Sequence, residues 1–221
     1  MSATAVPHHS SLLRRLVRLY AGLVLYGVSS ALLVVAGLGL EPWGVLHQGI
    51  SEFTGIAIGT VSIGVGAIVL LLWIPLRQRP GLGTVSNVFV LGLTMDATLA
   101  VVPEAHGWVV RTAVMVLGVV LNGMATGLYI TARFGPGPRD GLMTGLHRVT
   151  GRSVRLARTS IEVAVVVAGY ALGGSLGIGT VVYALAIGPL AQFFLRLFAA
   201  GSPGATGAVA GRSPEAAILP Q

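Results

Sequence analysis

The sequence predicts an all-α membrane protein of about six transmembrane helices, built as two inverted three-span repeats, each with a short amphipathic or re-entrant segment. Three observations predict it: an apolar composition with little charge, a gapless internal repeat, and arginines gathered on one side of the predicted membrane.

Composition sets the class. Hydrophobic residues make up 54% of the 221-residue chain, charged residues 10%, and the mean hydropathy is +0.85. A soluble protein of this size needs more charge to cover its surface, so apolar side chains must face lipid as well as the interior. The net charge is +7 and every basic residue other than histidine is arginine. These arginines lie between apolar stretches, so membrane lipids rather than nucleic acid are the expected partners. The chain has no cysteine, which excludes disulfides, thiolate catalysis and cysteine metal sites.

Residues 1–13 read as a disordered or interfacial head. The apolar run Leu16–Ala36 follows Arg14, Arg15 and Arg18 and is long enough to span. It is too long for a signal-peptide core, and a matching run recurs later. Residues 40–55 are broken by Glu41, Pro42, His47, Gln48 and Glu52, and predict a short interfacial or re-entrant helix. Spans are expected at Ile58–Leu76 and Thr84–Val102, separated by Pro80, Gly81 and Gly83. In the second half, spans are expected at Val109–Thr131, Thr159–Leu172 and Gly179–Phe198, with an arginine-rich amphipathic segment at 136–158. The first repeat is 14–103 and the second 104–199. The tail, 200–221, is rich in Gly, Ala, Ser and Pro and reads as disordered.

Shifting the chain by 96 positions aligns Leu12–Leu99 with Trp108–Leu195 without a gap. About 20 positions are identical, where composition alone gives roughly 7 or 8. The matches cluster at breaks: Pro42 with Pro138, Thr54-Gly55 with Thr150-Gly151, and Gly81 to Val85 with Gly177 to Val181. An odd number of spans per unit places the second copy upside down. With the N-terminus inside, nearly all arginines fall inside and only Arg111 falls outside, with Glu41, Glu52 and Glu104. The matched short segments carry opposite charge: two glutamates in 37–55, three arginines in 133–151. That contrast is the mark of inverted-topology duplication. Both termini are expected on the cytoplasmic side of the plasma (inner) membrane.

The chain resembles the YczE-like family of bacterial integral membrane proteins, related to the YitT-like group. The resemblance rests on Ala36-Gly-Leu-Gly-Leu-Glu-Pro-Trp43, Leu46-His-Gln-Gly49, Thr54-Gly55, Ile58-Gly-Thr-Val-Ser62 and the run from Leu72 to Gly83. In the second half it rests on Gly135-Pro-Gly-Pro-Arg-Asp-Gly-Leu-Met143 and Thr150-Gly-Arg-Ser153. It covers about Arg14 to Phe198 and implies a membrane class without a mechanism. The family pattern has Asp after Pro-Trp, where this chain has Gly44; the repeat counterpart, Asp140, is kept.

Polar residues at membrane depth are the candidate site residues. Asp96, about 12 residues into its span, is a candidate proton or cation carrier, against a role in holding helices together. Gln192 is its repeat counterpart, and the two form a candidate central pair. Asn122 suits either a binding site or an interhelical hydrogen bond at a glycine-lined crossing. Glu162 reads as an interfacial ion pair. His47 and Gln48 on the first short segment, and Arg139 and Asp140 on the second, are candidate transport or gating residues, against a plain water-facing surface. Arg148, Arg152 and Arg155 suit anionic lipid. No nucleotide loop, metal triad or nucleophile elbow appears, so neither enzyme activity nor a cofactor is expected. The expected function is a small-molecule transporter or permease component, proton-linked through Asp96. The alternative is an accessory or scaffold factor that binds lipid or a protein partner through its arginine-rich face. A homo-oligomer is compatible with either.

Overall fold

The computed structural model describes residues 9–200, which form eight helices and, among these residues, no strand. They are α1 (His9–Ala36), α2 (Pro42–Thr54), α3 (Ile58–Leu72), α4 (Leu82–Val101), α5 (Trp108–Thr131), α6 (Pro138–Thr150), α7 (Val154–Ala171) and α8 (Ile178–Ala200). Residues 1–8 and the expected tail, 201–221, lie outside the described residues. The helix start at His9 places residues 9–13 of the expected head inside α1.

Local chemistry sets the boundaries. Pro42 and Pro138 stand at the first helical position of α2 and α6, where the missing N–H costs nothing. Gly55 and Gly151 end those helices in the left-handed conformation, their amides donating to Ser51 O and His147 O. The second short helix is therefore shorter than the expected 136–158. Ser153 caps α7 by accepting from the Leu156 amide, so Arg155 and Arg158 belong to α7. The helix α3 ends at Leu72 rather than Leu76, where the chain enters a turn that carries Arg77 at φ 52°.

The backbone recurs along the chain. Helices α2 and α6, α3 and α7, and α4 and α8 each begin 96 residues apart. Among the described residues, eight of the nine with positive φ pair at the same interval: 37 with 133, 39 with 135, 55 with 151, and 77 with 173. Two of these eight are arginines, so the recurrence is of the chain path and not only of glycine placement.

Among the described residues, four helices are long and apolar enough to cross a membrane: α1 over Leu12–Ala36, α4, α5, and α8 over Ile178–Ala199. Helices α2 and α3 pass the same test together but are bent by 115°, bringing the number to as many as five. Large apolar side chains such as Val101, Val109 and Leu185 lie exposed on the outside, a surface that suits lipid and not water.

The frame is α1 packed along α5, with α4 against α1 and α8 against α5. Gly22 lets α1 approach Leu128 and Tyr129, and Gly118 lets α5 approach Ser29 and Leu33. The core lies along this pair, with Leu33, Ala36, Met115 and Val119 towards one end and Leu19, Leu23, Tyr129 and Ala132 towards the other. Of the short helices, α2 packs chiefly on α7 and also on α3, while α6 packs on both α7 and α3. The two hairpins differ. Helix α3 lies along α4, whereas α7 has no comparable packing with α8.

Candidate functional site

The site is positioned by two reciprocal clamps. Arg15, near the start of α1, donates from Nε to Ala132 O and from Nη2 to Arg133 O, both at 3.1 Å. Arg111, near the start of α5, donates from Nε to Ala36 O at 2.8 Å and from Nη2 to Gly37 O. Each guanidinium thus satisfies carbonyls that the other helix leaves open at its C-terminus. The contacts also fix α1 and α5 as antiparallel. Arg111, the one arginine the charge pattern leaves outside, has this helix-capping role.

The connectors after the clamps are held the same way. Leu38 O accepts from the Gly179 amide at 2.7 Å, and Phe134 O from the Gly83 amide at 2.8 Å. Gly39 and Gly135, at φ 109° and 110°, turn the chain against the N-termini of α8 and α4, where a Cβ would meet Thr180 and Thr84. Both connectors then fold back inward, and the N-termini of α2 and α6 meet. The Arg139 guanidinium lies over the Trp43 ring, 5.1 Å from its centroid. Trp43 and Arg139 are repeat counterparts, 96 residues apart.

Around this meeting point lies a buried polar cluster. Glu41, at the N-cap of α2, is 4% exposed; its Oε1 accepts a long 3.4 Å bond from Ser30 Oγ, and its Oε2 has no partner. Trp43 Nε1 is likewise buried without an acceptor. Asp140 Oδ2 accepts from the Tyr129 hydroxyl at 3.1 Å. Asn122, fully buried, donates to Ser29 Oγ and accepts from the Tyr183 hydroxyl, both at 3.0 Å, joining α1, α5 and α8. Among the described residues, no carboxylate is within ion-pair distance of Arg139. Burial pushes the Glu41 carboxyl above the usual range, and Arg139 pulls it back only in part. Asp140 is also raised by burial, opposed first by the Tyr129 hydrogen bond and then by Arg158 and Arg139. A cavity of about 30 Å³ adjoins the cluster, its polar lining formed by His47, Ser62, Asn87 and Arg139 beside Trp43. It has room for one or two waters, not for a metabolite.

The structure gathers some candidate residues and separates others. His47, Arg139 and Asp140 belong to the centre, with Asn122 at its edge. Asp96 lies elsewhere: it accepts from the Gly59 amide at 2.7 Å and from Thr60 Oγ1 at 2.9 Å, capping the N-terminus of α3 from α4. Gln192 is exposed on α8 and is not brought to Asp96. Gln48 Oε1 accepts from the Ser175 amide at 2.8 Å and from its hydroxyl at 2.5 Å, tying α2 to the α7–α8 connector. Arg148, Arg152 and Arg155 are exposed. Glu162 pairs with Arg158 at 2.9 Å. Sequence reasoning passed over Glu41, Trp43, Tyr129 and Tyr183. The available signal was Glu41 immediately before Pro42, an N-cap position at the break of a repeated unit.

The comparisons extend over the same residues. The profile of a family of unknown function, DUF6198, matches residues 13–196. An uncharacterised protein of Haemophilus influenzae is 40% identical over 177 residues, covering 80% of this chain and 81% of that protein. The uncharacterised membrane protein YczE of Bacillus subtilis is 32% identical over 181 residues, 80% of this chain and 83% of its own. The uncharacterised protein YyaS of the same organism is 25% identical over 180 residues, 80% and 90% of the two chains. No solved structure matches.

Proposed function

We propose that this chain, which belongs to the DUF6198 family of YczE-like membrane proteins, is a small-molecule transporter of the plasma membrane. In this reading six spans form two inverted halves, both termini are cytoplasmic, and no enzyme activity is involved. Helices α2 and α6 are re-entrant, entering from opposite sides and meeting at Trp43 and Arg139.

The observation that carries the reading is the difference between the hairpins. A Cβ at Gly92 on α4 would collide with Gly59 and Ile63 of α3, so this glycine is needed for the hairpin to close. Its counterpart on α8, Gly188, has nothing within 4 Å. A glycine inside a helix costs about 0.5–1 kcal/mol relative to alanine; the following Pro189 favours a residue without a Cβ here, but no other helix closes on it. An exchange of conformations gives it a second purpose: α7 docks on α8 at Gly188 while α3 leaves α4 at Gly92. Such an exchange between inverted halves exposes a central site first to one side of the membrane and then to the other.

The chemistry of the centre favours a substrate with an anionic group. Arg139 has no carboxylate within ion-pair distance and lies over the ring of Trp43, whose Nε1 is a buried donor without an acceptor. The experiment compares metabolites in cells and medium for wild type, a deletion and Arg139→Gln at equal expression. One anionic compound redistributing in both mutants supports transport. If neither redistributes anything, while the deletion alone changes other membrane proteins or lipids, the reading fails in favour of an accessory factor. The exposed row of Arg148, Arg152 and Arg155 is the observation that would then matter.

A further inference from the structure

Glu41 and Asp140 do not occupy matching positions. The counterpart of Glu41 is Gly137, and the counterpart of Asp140 is Gly44. The carboxylates nevertheless stand in matching places. A Cβ built on Gly44 would lie 2.8 Å from Glu41 Oε2, and its three nearest atoms all belong to the Glu41 carboxylate. A Cβ built on Gly137 would lie 3.1 Å from Asp140 Oδ2. In each half a carboxylate covers the first turn of the short helix. It arises from the N-cap in one half and from the third helical position in the other, and the vacated position is glycine.

The environments then differ. Asp140 has the Tyr129 hydroxyl. Glu41 has one oxygen with no partner, is almost wholly buried, and has no ion pair. The charged and titratable groups facing it are Arg139 from α6, Tyr26 from α1 and Tyr183 from α8, and only Arg139 carries positive charge. Among the described residues, no group of three metal-ligating side chains lies anywhere, and Arg139 repels a cation. An unpaired buried carboxylate is far costlier than an unpaired neutral carboxyl. A proton is the ligand that fits.

We propose that Glu41 is a proton-binding group, supplying in the first half the carboxyl that Asp140 supplies in the second. Binding leaves Glu41 neutral and Arg139 over Trp43. Release leaves a carboxylate that draws Arg139 off the ring into an ion pair. The use of this proton in coupling rests on the transport reading; its existence does not.

The test is infrared spectroscopy of the full chain in phosphatidylcholine vesicles at neutral pH, unlabelled and with ¹³C-glutamate. A protonated-carboxyl stretch that shifts with the label is expected in the wild type, and Glu41→Gln removes it. The double variant Glu41→Gly with Gly44→Asp restores a protonated band that no longer shifts with the glutamate label. No label-sensitive protonated band in the wild type overturns the proposal, as does such a band surviving in Glu41→Gln. The wild-type label experiment decides the matter even if a variant fails to fold. A band behaving as expected, in a protein that moves no compound, keeps the proton site and discards transport.

Discussion

The hairpins α3–α4 and α7–α8 follow one template but pack differently, and they are capped differently. Helix α3 has no side-chain cap of its own, and Asp96 reaches across from α4 to accept from the Gly59 amide and the Thr60 hydroxyl in its first turn. Helix α7 has Ser153 in its own sequence, and Gln192, the counterpart of Asp96, faces outward. A borrowed cap ties a helix to its neighbour, whereas a local cap leaves it free. Asp96 is thus a latch on the closed hairpin, and the open hairpin lacks one.

Four results would break or sharpen this contrast. The largest is all-or-none. Phe53 and Val149 are repeat counterparts at the ends of α2 and α6, 75% and 65% exposed. Single cysteines there should label from opposite sides of the membrane with an impermeant maleimide; labelling from one side would end the inverted arrangement. Next, Gly92→Ala should cost about 1–3 kcal/mol in thermal or denaturant unfolding, because the new methyl meets the α3 backbone. Gly188→Ala, which adds a methyl before Pro189 but meets no other helix, should cost less than Gly92→Ala, at most about 1 kcal/mol, yet lower transport if α7 docks there. Equal effects on stability would erase the contrast. Third, Asp96→Ala should lose roughly 1.5–3 kcal/mol, as expected for hydrogen bonds to a charged group. It should also loosen α3, measured as a lower disulfide yield between cysteines at 66 and 88, where a Cβ at Gly66 would lie 3.5 Å from Val88 Cβ. The smallest concerns the clamps. Arg15→Gln and Arg111→Gln each remove two charge-assisted bonds to carbonyls and should cost similar amounts, about 1–2 kcal/mol. A large inequality would mean that the two ends of the α1–α5 pair are not equivalent.

Much of the frame was legible in the sequence. The 96-residue interval, the breaks at Pro42 and Pro138, and the ends at Gly55 and Gly151 are local signals, and the helices begin and stop there. The start of α7 was misjudged because the arginines around it suggested a polar segment, while the Ser153 cap outweighed them. The site was less legible. The depth of Asp96 within its span could be inferred, but its partner, the start of α3, depends on which face of α4 meets α3. Trp43 and Arg139 share no chemistry as residue types. Their contact joins positions 96 residues apart, at the starts of α2 and α6. Glu41 read as an interruption of an apolar run, since only the structure reveals that Gly44 is vacant beneath it.

The reciprocal clamps bear on how the chain is made. When α1 to α4 have left the ribosome, the carbonyls at the end of α1 and Leu38 O still wait for Arg111 and Gly179. The first half therefore enters the bilayer unfinished, and Glu41 acquires its neighbours from α6 and α8 only after the last helix arrives. Joining both halves in one chain fixes their ratio at one to one and places the missing pieces next in line for synthesis. Assembly of the buried centre thus becomes the final event of biogenesis.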